Sequence, residues 1–280
     1  MHRCRGWLLL LSVLLLPLAA AVARASPLVV EIERMTWIEV RDRIAAGATT
    51  IIIPTGGTEQ NGPHMVLGKH NLIVAETARR IARTLGDALV APVVAYVPEG
   101  DPGKRTGHMA YVGTISIPDA IYMQLLEAAA ASFKAHGFKT IVLLGDSGGN
   151  QAPQAHLATK LAEAWSAAGV RVINAEGYYA RNGGDALLEP QGETGKTLGT
   201  HAGIRDTSEL MAVDATAVDL ARAAPDSQGA TGDARRATAA RGEVLLRLKV
   251  DAAVTEIRAA RSGQTAAMAK PGGWLGWLGR

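Results

Sequence analysis

The sequence predicts an α/β protein of three layers, in which helices cover both faces of a mostly parallel sheet. Short runs rich in β-branched and apolar residues alternate along the chain with longer segments of helical period. Connections of that length between strands imply right-handed crossovers and a parallel sheet. Of the 280 residues, 48% are hydrophobic and 20% charged. This composition excludes a disordered or fibrous protein and allows a large core without disulfide bonds.

Local signals indicate each element in order. Thr36 can cap a first helix over residues 37–46, which Gly47 ends. The β-branched run before Pro54 predicts the first buried strand. The predicted strands cover residues 49–53, 89–94, 139–144 and 170–173. The later predicted helices cover residues 72–84, 118–136, 151–168 and 240–261. Residues 226–239 are polar and predict a mobile loop.

The first 25 residues have the pattern of a secretory signal peptide. Arg3 and Arg5 precede an apolar run over residues 7–22, and residues 23–25 read Ala-Arg-Ala, a cleavage pattern. The alternative is a membrane anchor, but the run is shorter than the roughly 20 residues that span a bilayer. We therefore predict cleavage, export to the bacterial periplasm or exterior, and no stable membrane anchor.

Cleavage would remove both the basic excess and the only cysteine. The chain has 29 Lys and Arg against 26 Asp and Glu, and the predicted signal contains three arginines and no acidic residue. Balanced charge gives no electrostatic reason to expect a nucleic-acid partner. Cys4 lies in the signal, so disulfide and thiol chemistry are excluded. The mature chain is predicted to form one domain over residues 26–263, with a tail over residues 264–280 that either docks on a neighbouring subunit or lies loose.

Functional side chains are expected in the loops at the carboxyl ends of the strands. Four histidines lie in such loops or at predicted element ends, beside glycines and acidic residues: His64, His70, His108 and His201. Imidazole and carboxylate groups that converge there suit zinc, manganese or iron, and a metal-bound water is a nucleophile near neutral pH. The alternative is that these residues only hydrogen-bond their own loops. Gly148 and Gly149, before a predicted helix, would let the backbone approach an oxyanion or carboxylate.

Four blocks of the sequence carry the most specific signal. Residues 54–64 read Pro-Thr-Gly-Gly-Thr-Glu-Gln-Asn-Gly-Pro-His, and residues 113–117 read Gly-Thr-Ile-Ser-Ile. Residues 145–150 read Gly-Asp-Ser-Gly-Gly-Asn, and residues 201–208 read His-Ala-Gly-Ile-Arg-Asp-Thr-Ser. In order and spacing these blocks resemble the signature motifs of the creatininase (creatinine amidohydrolase) family. The resemblance implies a creatininase-like three-layer α/β/α fold, a homo-oligomer, often a hexamer, and metal-dependent hydrolysis of an amide C–N bond in a small cyclic or linear substrate.

The resemblance also implies a site. It places the metal ligands of the family on Glu59, Asn61, His70, Ser147 and Gly149. Only Glu59 keeps its ligand type, and His70 stands where the family has an aspartate that bridges two metals. A neutral imidazole does not bridge two metals as a carboxylate does. We therefore predict a single divalent ion, zinc before manganese or iron, held by Glu59 and His70 with Asp146 as third ligand, and with His64 and His201 as the other possible ligands.

The remaining predicted roles follow from the same resemblance. His201 matches a histidine that transfers protons near the substrate, and Asp206 matches the carboxylate that orients it. The residues predicted to contact substrate or support the loops are Asn61, His64, His108, Ser147, Gly148, Gly149 and Asn150. The alternative to a hydrolase is a metal-free relative that binds a small ligand, or assembles, through the same pocket.

Overall fold

A four-stranded sheet runs through the computed structural model, which describes residues 28–263. The strands are β1 (Thr50–Thr55), β2 (Ala88–Val90), β3 (Thr140–Gly145) and β4 (Arg171–Asn174). All neighbouring strands are parallel, in the order β2-β1-β3-β4. The predicted α/β class is confirmed. The two long strands, β1 and β3, lie side by side in the middle of the sheet and end at the same level.

Pro54 does not end β1, contrary to the sequence prediction. It pairs with Leu144 of β3, and its carbonyl accepts a hydrogen bond from the backbone N–H of Val94. The side of Pro54 that lacks an N–H therefore faces the chain beyond the end of β2, where a proline is tolerated. β1 continues to Thr55, and the glycine-rich loop that follows starts level with the end of β3.

Helices cover both faces of the sheet. They are α1 (Trp37–Ala45), α2 (Lys69–Leu85), α3 (Asp119–Ala135), α4 (Gly148–Trp165), α5 (Glu176–Tyr179), α6 (Gly184–Leu188), α7 (Gly195–Leu198), α8 (Ile204–Val213) and α9 (Ala239–Ser262). Successive strand residues point to opposite faces. Ile52 and Val142 pack on one face with side chains of α2, α5 and α9, whereas Ile51 and Ile141 pack on the other with α3 and α4. The predicted three layers result from this alternation.

The predicted loop over residues 226–239 is irregular but is tied to the rest of the molecule. The Oγ1 atom of Thr231 accepts hydrogen bonds from the backbone N–H groups of Thr200 at 2.7 Å and His201 at 2.9 Å. The side-chain amide of Gln60 donates to the carbonyl of Gly229 at 3.3 Å. The segment thus forms a wall beside His201 and not a free loop.

The predicted signal peptide, residues 1–25, and the predicted tail, residues 264–280, lie outside the described residues. Within residues 28–263, no helix combines the length and the apolar character that crossing a membrane requires.

Candidate functional site

A cavity of about 900 Å³ opens at the carboxyl edge of the sheet. The loop after β1 contributes Glu59, the turn after β3 contributes Asp146, and the segment before α8 contributes His201. α2 begins at Lys69, three residues earlier than predicted, so His70 lies in its first turn and faces the same cavity. The structure thus brings together side chains that are far apart in the sequence.

Seven ionisable side chains form a line of alternating charge beneath this cavity. In order they are Asp206, Lys69, Glu59, His70, Asp146, Lys249 and Glu209. The successive distances between charged atoms are 2.7, 3.8, 2.9, 2.7, 2.7 and 2.8 Å. All members except Asp206 are buried. Each basic group lies between two acidic groups, so each buried charge has a partner, as burial requires.

His70 is the centre of this line. Its Nε2 lies 2.9 Å from Oε1 of Glu59, and its Nδ1 lies 2.7 Å from Oδ2 of Asp146. Burial and the charge of Lys69 lower the pKa of His70, but the hydrogen bonds to Asp146 and Glu59 outweigh them and raise it to about 9. His70 is therefore an imidazolium that donates from both nitrogens. In this arrangement both ring nitrogens of His70 are hydrogen-bonded to the two carboxylates, and the metal set Glu59, His70 and Asp146 stays a prediction.

The two carboxylates beside His70 stay ionised. Burial raises the pKa of Glu59, but the hydrogen bond and charge of His70, with the charge of Lys69, hold it well below its usual range. Burial also raises the pKa of Asp146, but the charges and hydrogen bonds of Lys249 and His70 outweigh burial and lower this pKa. Glu59 thus remains a negatively charged group at the base of the cavity at neutral pH.

Glu59, His108 and His201 form a group whose donor atoms have the spacing of a metal site. The Nε2 atom of His108 lies 3.2 Å from Oε2 of Glu59, and Nδ1 of His201 lies 3.6 Å from Oε1. A tetrahedral zinc site with bonds of about 2.1 Å has ligand-to-ligand distances of about 3.4 Å. The three side chains therefore fit one divalent cation. His108 was predicted only to contact substrate or support a loop, and the structure places it in this group.

The outer nitrogens of both histidines contact Gln60. Nε2 of His201 donates to the Gln60 carbonyl oxygen at 2.8 Å, and Nδ1 of His108 lies 3.0 Å from the Gln60 side-chain nitrogen. Histidines that bind metals have such partners on the second nitrogen. Burial and the charge of Lys69 lower the pKa of His201 to about 4, so its ring is neutral. Its Nδ1 lone pair then faces the Glu59 carboxylate, and two acceptor atoms so placed suit a cation between them.

Asp206 does not hydrogen-bond the His201 ring, contrary to the prediction that it orients that ring. Its Oδ2 accepts from the ammonium of Lys69 at 2.7 Å and from the backbone N–H of Ala202 at 2.8 Å. Burial raises the pKa of Asp206, but Lys69 and the neighbouring histidines lower it further than burial raises it. Asp206 therefore fixes the backbone next to His201 and neutralises Lys69.

Glu99 is a buried acidic residue of the site that the sequence analysis missed. Its Oε1 accepts a hydrogen bond from Oγ of Ser147 at 2.8 Å. Burial and the neighbouring Glu59 carboxylate raise the pKa of Glu99 to about 8, although the hydrogen bond from Ser147 lowers it. Glu99 thus carries the proton of the carboxyl pair at neutral pH. Its only sequence signal is its place in the loop after β2, since no local pattern marks it.

The other predicted residues support the loops or line the cavity. The Asn61 amide donates to the backbone carbonyls of Glu59 and Val66, and the His64 ring contacts Oγ1 of Thr207 at 3.0 Å. The Asn150 amide donates to carbonyls at the end of β1. Ser147, Gly148 and Gly149 line the cavity.

Several curated proteins are similar to this chain. A creatinine amidohydrolase of Pseudomonas putida is 30% identical over 39% of this chain and 42% of its own length. A 3-dehydro-scyllo-inosose hydrolase of Thermotoga maritima is 28% identical over 44% of this chain and 37% of its own length. These two alignments therefore span about two fifths of the relatives. A mycofactocin precursor peptide peptidase of Mycobacterium tuberculosis is 26% identical over 77% of this chain and 87% of its own length.

Solved structures match the fold over most of the chain. A manganese form of creatininase superposes with a TM-score of 0.69 at 24% identity, covering 83% of this chain and 98% of that chain. A putative creatinine amidohydrolase from Bacteroides fragilis gives a TM-score of 0.63 at 21% identity, over 82% and 95% of the two chains. At these identities the likeness establishes a creatininase-like fold. The family model described as creatinine amidohydrolase matches residues 33–257, and the chain therefore belongs to the creatininase family.

Proposed function

We propose that this protein hydrolyses an amide C–N bond of a small cyclic or linear substrate with one divalent cation held by Glu59, His108 and His201. The observation that carries the proposal is the donor spacing of these three side chains beside a cavity of about 900 Å³. Names of relatives support the reaction type, since they denote an amidohydrolase, a hydrolase and a peptidase. The proposed ligand set differs from the set predicted from the sequence, because His108 and His201 take the places of His70 and Asp146.

The side chains have distinct tasks in this reaction. A divalent cation, when bound, supplies Lewis acidity and an activated water. Glu59 offers a charged carboxylate, and His201 offers a neutral ring that Gln60 orients. Gly148 and Gly149 lie in the first turn of α4, where backbone N–H groups have no partner within the helix and can donate to a substrate oxygen. Lys69 and His70 balance the charge of Glu59 and Asp206 from below.

Three further properties belong to the proposal. Two imidazoles and one carboxylate favour zinc, with manganese and iron as the other candidates, and solved relatives include a manganese form and a Zn–Zn form of creatininase. Export rests on the signal-like pattern of residues 1–25. A homo-oligomer rests on the resemblance to the family. The substrate is a small molecule, in keeping with a creatininase variant that was solved in complex with creatine.

The test measures metal and turnover together. The chain, expressed from its full sequence, should contain about one equivalent of metal and hydrolyse members of a small-amide panel, and a chelator should abolish turnover. Glu59→Ala and His201→Ala should lose both metal and turnover, whereas His156→Ala, an exposed histidine on α4, should keep both. Metal binding that survives Glu59→Ala would refute the assigned ligands. Ligand affinity that survives chelation without any turnover would favour the metal-free binding protein.

A further inference from the structure

Two consecutive tyrosines at the end of α5, the short helix that follows β4, differ in what their hydroxyls contact. Tyr178 is fully buried, and its hydroxyl donates to Oδ1 of Asp146 at 2.7 Å and bonds Oγ1 of Thr77 at 2.8 Å. Tyr179 is half-buried and lines the cavity, and no described residue hydrogen-bonds its hydroxyl. Because tyrosines removed from solvent usually find a partner, the Tyr179 hydroxyl is available to a molecule in the cavity.

The ring and the backbone of Tyr179 are held in place. The ring packs against the apolar cluster between the sheet and α9. The Asn182 amide donates to the carbonyl oxygens of Tyr178 at 2.8 Å and Tyr179 at 3.2 Å. The backbone N–H of Gly177 donates to Oε2 of Glu256 at 2.7 Å, which ties α5 to α9. A donor that is already fixed needs little reorganisation during a reaction, and this is the condition for electrostatic catalysis.

The Tyr179 hydroxyl lies beside the first turn of α4. A Cβ atom at Gly148 would lie only 3.1 Å from the hydroxyl oxygen of Tyr179. Gly148 and Gly149 are exposed and line the same cavity, and N–H groups of a first turn have no partner within their helix. The hydroxyl and these N–H groups are therefore hydrogen-bond donors that adjoin one space. Donors so placed suit an oxygen atom that carries negative charge.

The Tyr179 hydroxyl keeps its proton at neutral pH. Burial raises the pKa of Tyr179 above its ordinary value of 10.0, and the charges of Asp206 and Asp146 raise it further. The charges of Lys69 and Lys249 lower this pKa but do not offset the other causes. The side chain is thus a neutral donor and not a phenolate.

We propose that Tyr179 is a further catalytic residue, which donates a hydrogen bond to the carbonyl oxygen of the scissile amide beside the first-turn N–H groups of α4. When water adds to the amide carbon, the C=O bond becomes a C–O⁻ bond, and a hydrogen bond to this oxygen strengthens. The carbonyl forms again as the C–N bond breaks, the leaving nitrogen takes the proton that the water lost, and Tyr179 keeps its own proton throughout. The inference rests on the proposed hydrolysis and adds the orientation of the substrate, with its amide oxygen toward α4 and α5.

The test compares Tyr179→Phe with the wild type on the amide that the wild type hydrolyses fastest. Phenylalanine keeps the ring and removes the hydroxyl, so kcat should fall about 100-fold. KM should change by less than about threefold, because the bond gains strength only in the transition state. The metal content should equal that of the wild type. Tyr96→Phe, which removes a tyrosine hydroxyl from a side chain that is 58% exposed, should leave kcat unchanged.

A phosphonamidate analogue of the same amide and a measurement of thermal unfolding complete the test. The tetrahedral, charged phosphonyl group mimics the adduct of water and amide, so Tyr179→Phe should bind the analogue about 100-fold more weakly than the wild type does. Tyr179→Phe should unfold at the temperature of the wild type, because no described residue bonds its hydroxyl. Tyr178→Phe loses the bonds to Asp146 and Thr77 and should unfold at a lower temperature.

The outcomes distinguish this role from a structural one. A kcat of Tyr179→Phe within about threefold of the wild type, or an unchanged affinity for the analogue, overturns the proposal and leaves the proposed hydrolysis intact. A raised KM with unchanged kcat also overturns it, since Tyr179 would then bind the ground state as strongly as the transition state. If the wild type holds metal but hydrolyses no amide, the proposed hydrolysis fails, and the catalytic role of Tyr179 fails with it.

Discussion

Lys69→Met should destabilise the protein far more than an equal change at the surface. The Lys69 ammonium lies 2.7 Å from Oδ2 of Asp206, and its side chain is 1% exposed. Methionine keeps most of the volume but removes the charge, which leaves Glu59 and Asp206 without this partner. Breaking a buried ion pair costs about 3–5 kcal/mol. For a chain of this size that corresponds to a fall in Tm of roughly 10 °C.

Lys160→Met is the matched control. Lys160 pairs with Glu127 at 2.8 Å, but its side chain is 56% exposed, and such pairs contribute less than about 1 kcal/mol. Urea and thermal unfolding in chelator compare the two variants at one pH. Adding Asp206→Asn to Lys69→Met should recover part of the loss, because the neutral amide no longer leaves a charge unpaired. Equal losses for Lys69→Met and Lys160→Met would refute the reasoning that burial decides the energy.

Two further predictions concern the pH dependence of stability and the loop that carries Glu99. The pKa of His70 is about 9 in the folded chain against 6.5 as its ordinary value. Its contribution to stability should therefore be complete below about pH 6.5 and disappear as the pH rises through about 9. Urea unfolding in chelator at several pH values checks this against His70→Gln, which should lack that part of the slope; parallel slopes would contradict it. Gly149→Ala should destabilise by about 1–3 kcal/mol, because the new Cβ would lie 1.9 Å from the Pro98 carbonyl oxygen. Gly195→Ala, with no atom within 4 Å of the new Cβ, should change stability by less than about 0.5 kcal/mol, and similar effects for both would show that the loop yields freely.

The periodicity of the sequence was sufficient to predict the three layers of the fold and the edge of the sheet at which the site lies. Strand runs and helix caps are local signals, and the carboxyl ends of parallel strands must meet at one edge. This is why Glu59 and Asp146, which are far apart in the chain, were predicted to be close. The predicted end of β1 is wrong because the local signal of a proline was taken to end the strand. Pro54 instead lies within β1 and pairs with Leu144 of β3.

Two buried groups that decide the charge of the site, Lys249 and Glu99, were not predicted from the sequence. Lys249 lies on the buried face of α9 beside Leu246 and Val250, and a lysine on an apolar helix face was a signal that could have been used. Glu99 had no such signal. Its partners are Glu59 and Ser147, and only the packing of three loops brings them together. Patterns of period and spacing carry no information on such contacts, because the partner of a buried charge is set by tertiary structure.

A single cause can explain the unusual residues at the positions where the resemblance places metal ligands: side-chain cations supply positive charge to the site. Where the resemblance places a bridging aspartate, this chain has His70, and the structure makes it an imidazolium between Glu59 and Asp146. The adjacent Lys69 brings a second positive charge to Glu59 and Asp206. With these carboxylates already paired by side-chain cations, a second metal ion would add positive charge to a site that has little negative charge left to attract it. The proposed single cation then needs no ligands at Asn61 and Ser147, because Glu59, His108 and His201 supply its donor atoms.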